Sequence, residues 1–148
     1  MKVIKIITIA ILLISGNCYA DRTQDIINKI ETFFNNTEYK NVTKIIIAQS
    51  ILETGWYKSP RHNEYNNYWS VKDIRKWKTC HKKPITCMID NKNLDENIKM
   101  MYNYIKRKKY SIEYDGYFVD LIKKKFAEDP KYVWKLKRII KTMNRLYR

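Results

Sequence analysis

A mainly α fold (α+β in class), built as one domain with a small reduced β lobe or hairpin, is what this 148-residue sequence predicts. Three observations carry the prediction. The run Ile45-Ile46-Ile47-Ala48-Gln49-Ser50-Ile51-Leu52 is apolar enough to form a helix buried around most of its circumference. On either side of it, Ile26, Ile27, Ile30, Phe33 and Phe34, and later Leu94, Ile98, Met101, Tyr102 and Ile105, recur at the spacing of one helical face. Between these helices, residues 77–90 contain a Pro84 turn with β-branched residues near its end, the pattern of a short hairpin.

In chain order, Met1 to Ala20 has the form of a secretion signal. Lys2 and Lys5 give a positive start, Ile6 to Ile14 an apolar core, and Cys18-Tyr19-Ala20 an end before the polar Asp21-Arg22. The apolar run is shorter than the roughly 20 residues needed to span a bilayer, so cleavage after Ala20 is expected and residues 21–148 form the exported domain. A cysteine just after an apolar segment is also the form of a lipoprotein acceptor, but Asn17 stands where Gly or Ala is expected before it. Once Cys18 has left with the leader, Cys80 and Cys87 remain, an even number suited to one disulfide in an oxidising compartment. Zinc is the weaker reading. His81 lies near these cysteines and His62 far from them, so four ligands cannot be gathered from Cys and His without giving up the disulfide.

Residues 21–36 read as a first packing helix and 35–41 as a polar loop. Thr43 is the expected N-cap of the central helix, which should run to about Thr54 and stop at Gly55. From Trp56 to Trp77 no period is sustained and Asn, Tyr and Trp accumulate. Trp56, Tyr57, Tyr65, Tyr68, Trp69 and Trp77 are not spaced as a core stripe. Such rings suit the apolar C–H faces of sugars, while amides such as Asn66 and Asn67 suit their hydroxyls; some of them, Trp69 first, are equally suited to filling the core. Asn93-Leu94-Asp95-Glu96 has the form of a capping box opening the next helix. A short helix is expected over Tyr117 to Phe126. Asp129-Pro130 reads as an N-cap followed by Pro at the first helical position of a last helix, with Tyr132, Val133, Leu136, Ile139, Ile140, Met143 and Tyr147 inward.

The chemistry centres on Glu53. A carboxyl at the end of a buried helix is disfavoured as an anion by burial and again by the partial negative charge of the helix C-terminus. A carboxyl held protonated in this way is what a glycosidic oxygen needs when it becomes a leaving group.

The two blocks Ala48-Gln49-Ser50-Ile51-Leu52-Glu53-Thr54-Gly55-Trp56 and Asn66-Asn67-Tyr68-Trp69-Ser70-Val71-Lys72, in this order, resemble the bacterial glucosaminidase family. Glu96-Asn97-Ile98, the following Tyr110, and Ala127 to Tyr132 with Leu136 and Ile139 extend the resemblance to about Ile45–Ile140. Members of that family are endo-β-N-acetylglucosaminidases of peptidoglycan, among them autolysins and flagellar wall hydrolases. The resemblance implies a lysozyme-like helical domain, Glu53 as general acid, and Trp56, Asn66, Asn67, Tyr68, Trp69 and Tyr110 as substrate-binding residues. The family's second acid, in a Thr-x-Glu-Tyr-like setting of its β lobe, has no counterpart here. Glu64, Asp73 and Asp90 are the candidates for a second carboxylate, with the substrate's own acetamido group as a further route. Tyr57 and Ser70 stand where the family usually has Gly. These departures carry the first alternative, a non-catalytic wall-binding or inhibitory relative.

The formal charge of +15 falls by two when Lys2 and Lys5 leave with the leader. Such a balance attracts polyanions without choosing among them, and for an exported protein the candidates are anionic wall polymers, anionic lipid and nucleic acid. A cationic membrane-active protein is the second alternative. With no base-reading motif, no nucleic-acid partner is expected. Nothing in the sequence implies a metal or an organic cofactor, and the chain reads as a monomer in the periplasm or outside the cell.

Overall fold

The computed structural model describes residues 22–71 and 91–146, and these form six α-helices and a 3-10 turn. Helix α1 covers residues 22–35. The 3-10 turn Lys40–Val42 leads into α2, Thr43–Thr54, and a short α3, Pro60–Glu64, follows. The second half contains α4, Leu94–Arg107, α5, Tyr114–Lys123, and α6, Tyr132–Leu146. Among the described residues there is no strand. The hairpin expected within 77–90, the leader at 1–20, and the pair Cys80 and Cys87 lie outside the described residues.

Helix α2 is the axis of the molecule. Thr43, Ile45 through Ile51 and Thr54 are all buried, so nearly the whole circumference is covered. The other helices bury one face each. From α1 come Ile26, Ile27, Ile30 and Phe34, from α4 Ile98, Met101 and Ile105, and from α6 Leu136, Ile140 and Met143. At roughly 25 cal/mol per Å² of apolar surface, these side chains supply the main force holding the bundle.

Helices α2 and α6 pack against each other. Lys44 Nζ donates to Asn144 Oδ1 at 2.9 Å near the start of α2, and Tyr132 Oη donates to Glu53 Oε1 at 3.0 Å near its end. The two helices therefore run antiparallel.

Local chemistry sets the helix ends. Thr43 is not the N-cap of α2. It is the first helical residue, and its hydroxyl turns back to the Lys40 carbonyl at 3.1 Å because the preceding 3-10 turn already supplies the entry. Gly55 terminates α2 in the left-handed conformation, φ 58°, as its position requires. At α4, Asn93 Oδ1 accepts from the Glu96 amide at 2.9 Å, and Glu96 Oε2 accepts from the Lys92 amide at 2.9 Å. The capping box thus reaches one residue further back than its usual form. Asp129 Oδ1 accepts from the Lys131 amide at 2.8 Å, and Tyr132 opens the helix that follows. Helix α5 starts at Tyr114, three residues ahead of the expected Tyr117.

Candidate active site

The backbone just beyond Glu53 makes an uncommon turn. Gly55, Trp56 and Tyr57 are all left-handed, with φ 58°, 59° and 59°. A non-glycine residue in this region is strained by contact between its Cβ and the backbone. The surrounding structure holds it there. The Trp56 amide donates to Ile51 O at 3.0 Å, the Tyr57 amide to Thr54 Oγ1 at 2.9 Å, and the buried Tyr57 hydroxyl shares a 2.7 Å hydrogen bond with Ser50 Oγ. The chain is thereby reversed immediately after the carboxyl.

After α3 the chain returns in a second buckled loop. Asn67 is fully buried and clamps Val71 from both sides, donating through Nδ2 to Val71 O at 2.9 Å and accepting at Oδ1 from the Val71 amide at 3.1 Å. The Tyr68 amide donates to Asn97 Oδ1 at 2.9 Å, and Trp69 Nε1 donates to Ile46 O at 2.9 Å. Ser70 then takes φ 52°. Both Tyr57 and Ser70 keep a glycine-like backbone although neither is glycine.

Ser70 also bonds beyond its own loop. Its hydroxyl meets His62 Nε2 at 2.8 Å, and His62 Nδ1 meets Ser59 Oγ at 2.7 Å. Tyr132 hydrogen-bonds the half-buried Glu53 carboxyl, and the Ser70 hydroxyl lies near it. Burial raises the Glu53 pKa above its ordinary 4.5 and outweighs the lowering by Ser70 and Tyr132. Tyr132 is itself buried and far from ionising, so its proton stays available to donate. Gln49, one turn before Glu53, accepts from Tyr117 Oη at 3.1 Å and lies within reach of the Tyr132 hydroxyl.

Glu53 opens onto a cleft of about 640 Å³. Trp69, Ser70 and Val71 form one wall. The opposite wall comes from the end of α4, with Tyr104 and Lys108, and from the segment after α5, with Lys125, Phe126, Ala127 and Glu128. A carboxyl of raised pKa, aromatic surface and a second carboxylate therefore share one groove. That combination suits acid-assisted cleavage of a sugar chain.

Of the predicted site residues, Glu53 opens onto the cleft, and Trp69 backs its wall as a fully buried core side chain with its Nε1 on Ile46 O. The others hold the walls. Asn67 closes the loop, Tyr68 packs edge-on against Tyr57 with ring centroids 5.7 Å apart, and Asn66 pairs with Asn91 through two hydrogen bonds of 3.1 and 3.2 Å. Trp56 packs partly buried against the core. Tyr110 is buried between Tyr104 and Tyr117, with Lys124 Nζ 4.7 Å from its ring centroid. Glu64 is exposed at the end of α3 and does not line the cleft. Asp73 and Asp90 lie outside the described residues.

Sequence reasoning missed Glu128, Tyr104, Phe126, Lys108 and Lys125. Glu128 sits in the stretch before Tyr132 that carried part of the family resemblance, which was the available signal. A second groove of about 630 Å³ between α1 and α4, bridged by Lys29 and Asp95 at 3.8 Å, is remote from Glu53 and holds no comparable set of groups.

A family model described as mannosyl-glycoprotein endo-beta-N-acetylglucosaminidase matches residues 35–145 of this chain, a span that includes every wall of the cleft. No curated protein and no solved structure gives a significant match.

Proposed function

The chain belongs to the glucosaminidase family, and on that premise we propose that it is an exported peptidoglycan hydrolase cleaving the β-1,4 bond after N-acetylglucosamine, with Glu53 as general acid. The observation that supports this most directly is the Glu53 carboxyl itself. It is half-buried, raised in pKa, held through Oε1 by Tyr132, and open to a cleft with aromatic walls.

The chemistry follows from that environment. With Oε1 accepting from Tyr132, the other carboxyl oxygen carries the proton. That proton passes to the glycosidic oxygen as the bond from the anomeric carbon to this oxygen breaks. The positive charge developing at the anomeric carbon is met by a carboxylate or by the substrate's acetamido oxygen, and water then supplies the new hydroxyl. Glu128 is the other acid lining the cleft among the described residues, so it takes the role of second carboxylate ahead of Glu64. Tyr104 and Phe126, both partly exposed, offer flat faces for sugar rings.

The test is digestion of purified wall with analysis of the new reducing ends. Terminal N-acetylglucosamine, produced by the wild type and lost in Glu53→Gln, is the expected result. A folded wild type that binds wall and releases no reducing ends would instead favour a wall-binding relative. Export rests on the Met1 to Ala20 pattern and on the wall substrate. No helix among the described residues is long and apolar enough to cross a membrane.

A further inference from the structure

We propose that His62 is a positioning residue for Glu53: with Ser59 and Ser70 it forms a directed hydrogen-bond network that aims the Ser70 hydroxyl proton at the carboxyl. The inference rests on the hydrolase reading and adds how this protein orients its acid at a position where the family usually has glycine, and so no hydroxyl.

His62 lies between two hydroxyls, its Nδ1 2.7 Å from Ser59 Oγ and its Nε2 2.8 Å from Ser70 Oγ. The backbone holds all three residues around the end of α2. The Ser59 amide donates at 3.1 Å to the carbonyl of Thr54, the residue after Glu53, and Ser59 O accepts from the Asn63 amide at 3.3 Å. His62 O accepts from the Asn67 amide at 3.1 Å, which ties α3 to the loop that Asn67 clamps around Val71. Ser70 sits in that loop at φ 52° and lines the cleft with Glu53. A left-handed serine costs backbone energy that glycine would not. What the serine adds is a hydroxyl held between His62 and Glu53.

Each hydroxyl has one proton and a neutral imidazole has one N–H, so the network can run in two directions. Running away from the cleft, Ser70 donates to Nε2 and Nδ1 donates to Ser59, which leaves the lone pairs of Ser70 Oγ facing the carboxyl. Running toward the cleft, Ser59 donates to Nδ1, Nε2 donates to Ser70 Oγ, and the Ser70 proton is free for Glu53. A charged imidazolium donates from both nitrogens and keeps Ser70 in this second sense. The lowering of the Glu53 pKa by Ser70, against the larger rise from burial, agrees with the second direction. Each bond polarises the next, so the Nε2 donor strengthens the Ser70 donor.

For the reaction the effect is differential. Glu53 becomes an anion as it passes its proton to the glycosidic oxygen, and a donor aimed at it strengthens as that charge develops. Tyr132 supplies one such donor from α6. Ser70, backed by His62, supplies another from the wall it forms with Trp69 and Val71. His62 stands behind Ser70 and does not itself line the cleft.

The experiment follows the Glu53 carboxyl by carbon NMR titration of the full chain, assigned with Glu53→Gln, beside kcat and KM on a neutral N-acetylglucosamine tetramer across pH. The charged groups sharing the cleft, Lys108, Lys125 and Glu128, are the same in every variant and drop out of the comparison. Ser70→Gly removes the hydroxyl while relaxing the backbone, so its effect cannot be assigned to misfolding. It is expected to raise the Glu53 pKa and lower kcat roughly three- to tenfold, the scale of one hydrogen bond. His62→Leu is expected to shift both in the same direction by less and to leave KM unchanged. His62→Gln, whose amide can donate to Ser70 in place of Nε2, is expected to keep the wild-type pKa and rate. Added to Ser70→Gly, His62→Leu is expected to do nothing more. A Glu53 pKa unmoved or lowered in Ser70→Gly, His62→Gln behaving as His62→Leu, or additive shifts in the double variant overturns the network. The titration needs no substrate. The expected pKa shifts without cleavage of tetramer or wall would keep the network and sink the hydrolase, and cleavage with a Glu53 pKa indifferent to both residues would do the reverse.

Discussion

Tyr132 Oη donates to Glu53 Oε1 at 3.0 Å, joining the first turn of α6 to the last turn of α2 at the edge of the cleft. The contact lowers the pKa of a carboxyl that burial raises. Tyr132→Phe is therefore expected to raise that pKa further and move the alkaline limb of the pH–rate profile upward, while costing about 1 kcal/mol of stability for the lost hydrogen bond. A profile with its limb unmoved, or moved down, would show that the hydroxyl does not act on Glu53.

Glu53 also makes stability depend on pH. Its folded pKa lies above 4.5, so as pH rises from that value the unfolded chain ionises first and the folded state loses relative stability until its own pKa is passed. Glu53→Gln removes the loss. The variant is expected to match the wild type in denaturant melts below about pH 4 and to exceed it at neutral pH. Its cleavage rate is expected to fall by about 10² to 10⁴.

Asn67 is a support for the cleft wall. Truncation in Asn67→Ala leaves the Val71 amide and carbonyl without their partners and frees the loop that carries Trp69 and Ser70. A loss of roughly 2 kcal/mol is expected in urea melts, with weaker glycan binding even where the protein remains folded. A melt within a few tenths of a kcal/mol of wild type would contradict this.

Lys109, at φ 52° after α4, isolates the cost of left-handed backbone. Lys109→Gly is expected to stabilise by about 0.5–1 kcal/mol, since relief of strain exceeds the extra chain entropy that glycine loses on folding. An unchanged or lowered melting temperature would count against it.

The helices were legible because their signals are local. The apolar run of α2, the Asn93-x-x-Glu96 cap and the spacing of α6 each lie within a few turns of sequence. The site was legible only in part. Glu53 shows itself through its position at a helix end, but the opposite cleft wall comes from segments more than fifty residues later, brought across by packing. Asn67, Tyr68 and Tyr110 looked like ligand residues because amides and rings serve sugars and cores alike, and only burial separates the two uses. Ser70 stands where the family usually has Gly, a cue to its left-handed backbone, but nothing local in the sequence places its hydroxyl against His62 and near Glu53.

The outward face of α6 bears on how the protein meets its substrate in bulk. The helix contains no acid, and Lys137, Arg138, Lys141 and Arg145 lie exposed along it, while Lys135 is held by Asp129 at 2.5 Å. Arg138 stacks over Trp134, which is 55% exposed, at 4.7 Å. Exposed charges act through a Debye length of about 8 Å at physiological salt and about 3 Å at 1 M. Association with whole wall, rich in anionic polymer, is therefore expected to weaken steadily as salt is raised, and Gln at all four positions is expected to remove most of the dependence. Lys141 lies nine residues along the helix from Tyr132, roughly 13 Å at 1.5 Å per residue. That exceeds the physiological screening length, whereas Lys137 and Arg138, roughly 8 and 9 Å along, lie near it, so cleavage of a short neutral glycan is expected to change little when Lys141 and Arg145 alone are replaced. Sedimentation with purified wall across a salt series, run beside turnover of a neutral N-acetylglucosamine tetramer, separates the two effects. Wall association indifferent to salt would remove the electrostatic role of α6, and parallel losses in both assays would mean that its charges act on the cleft itself.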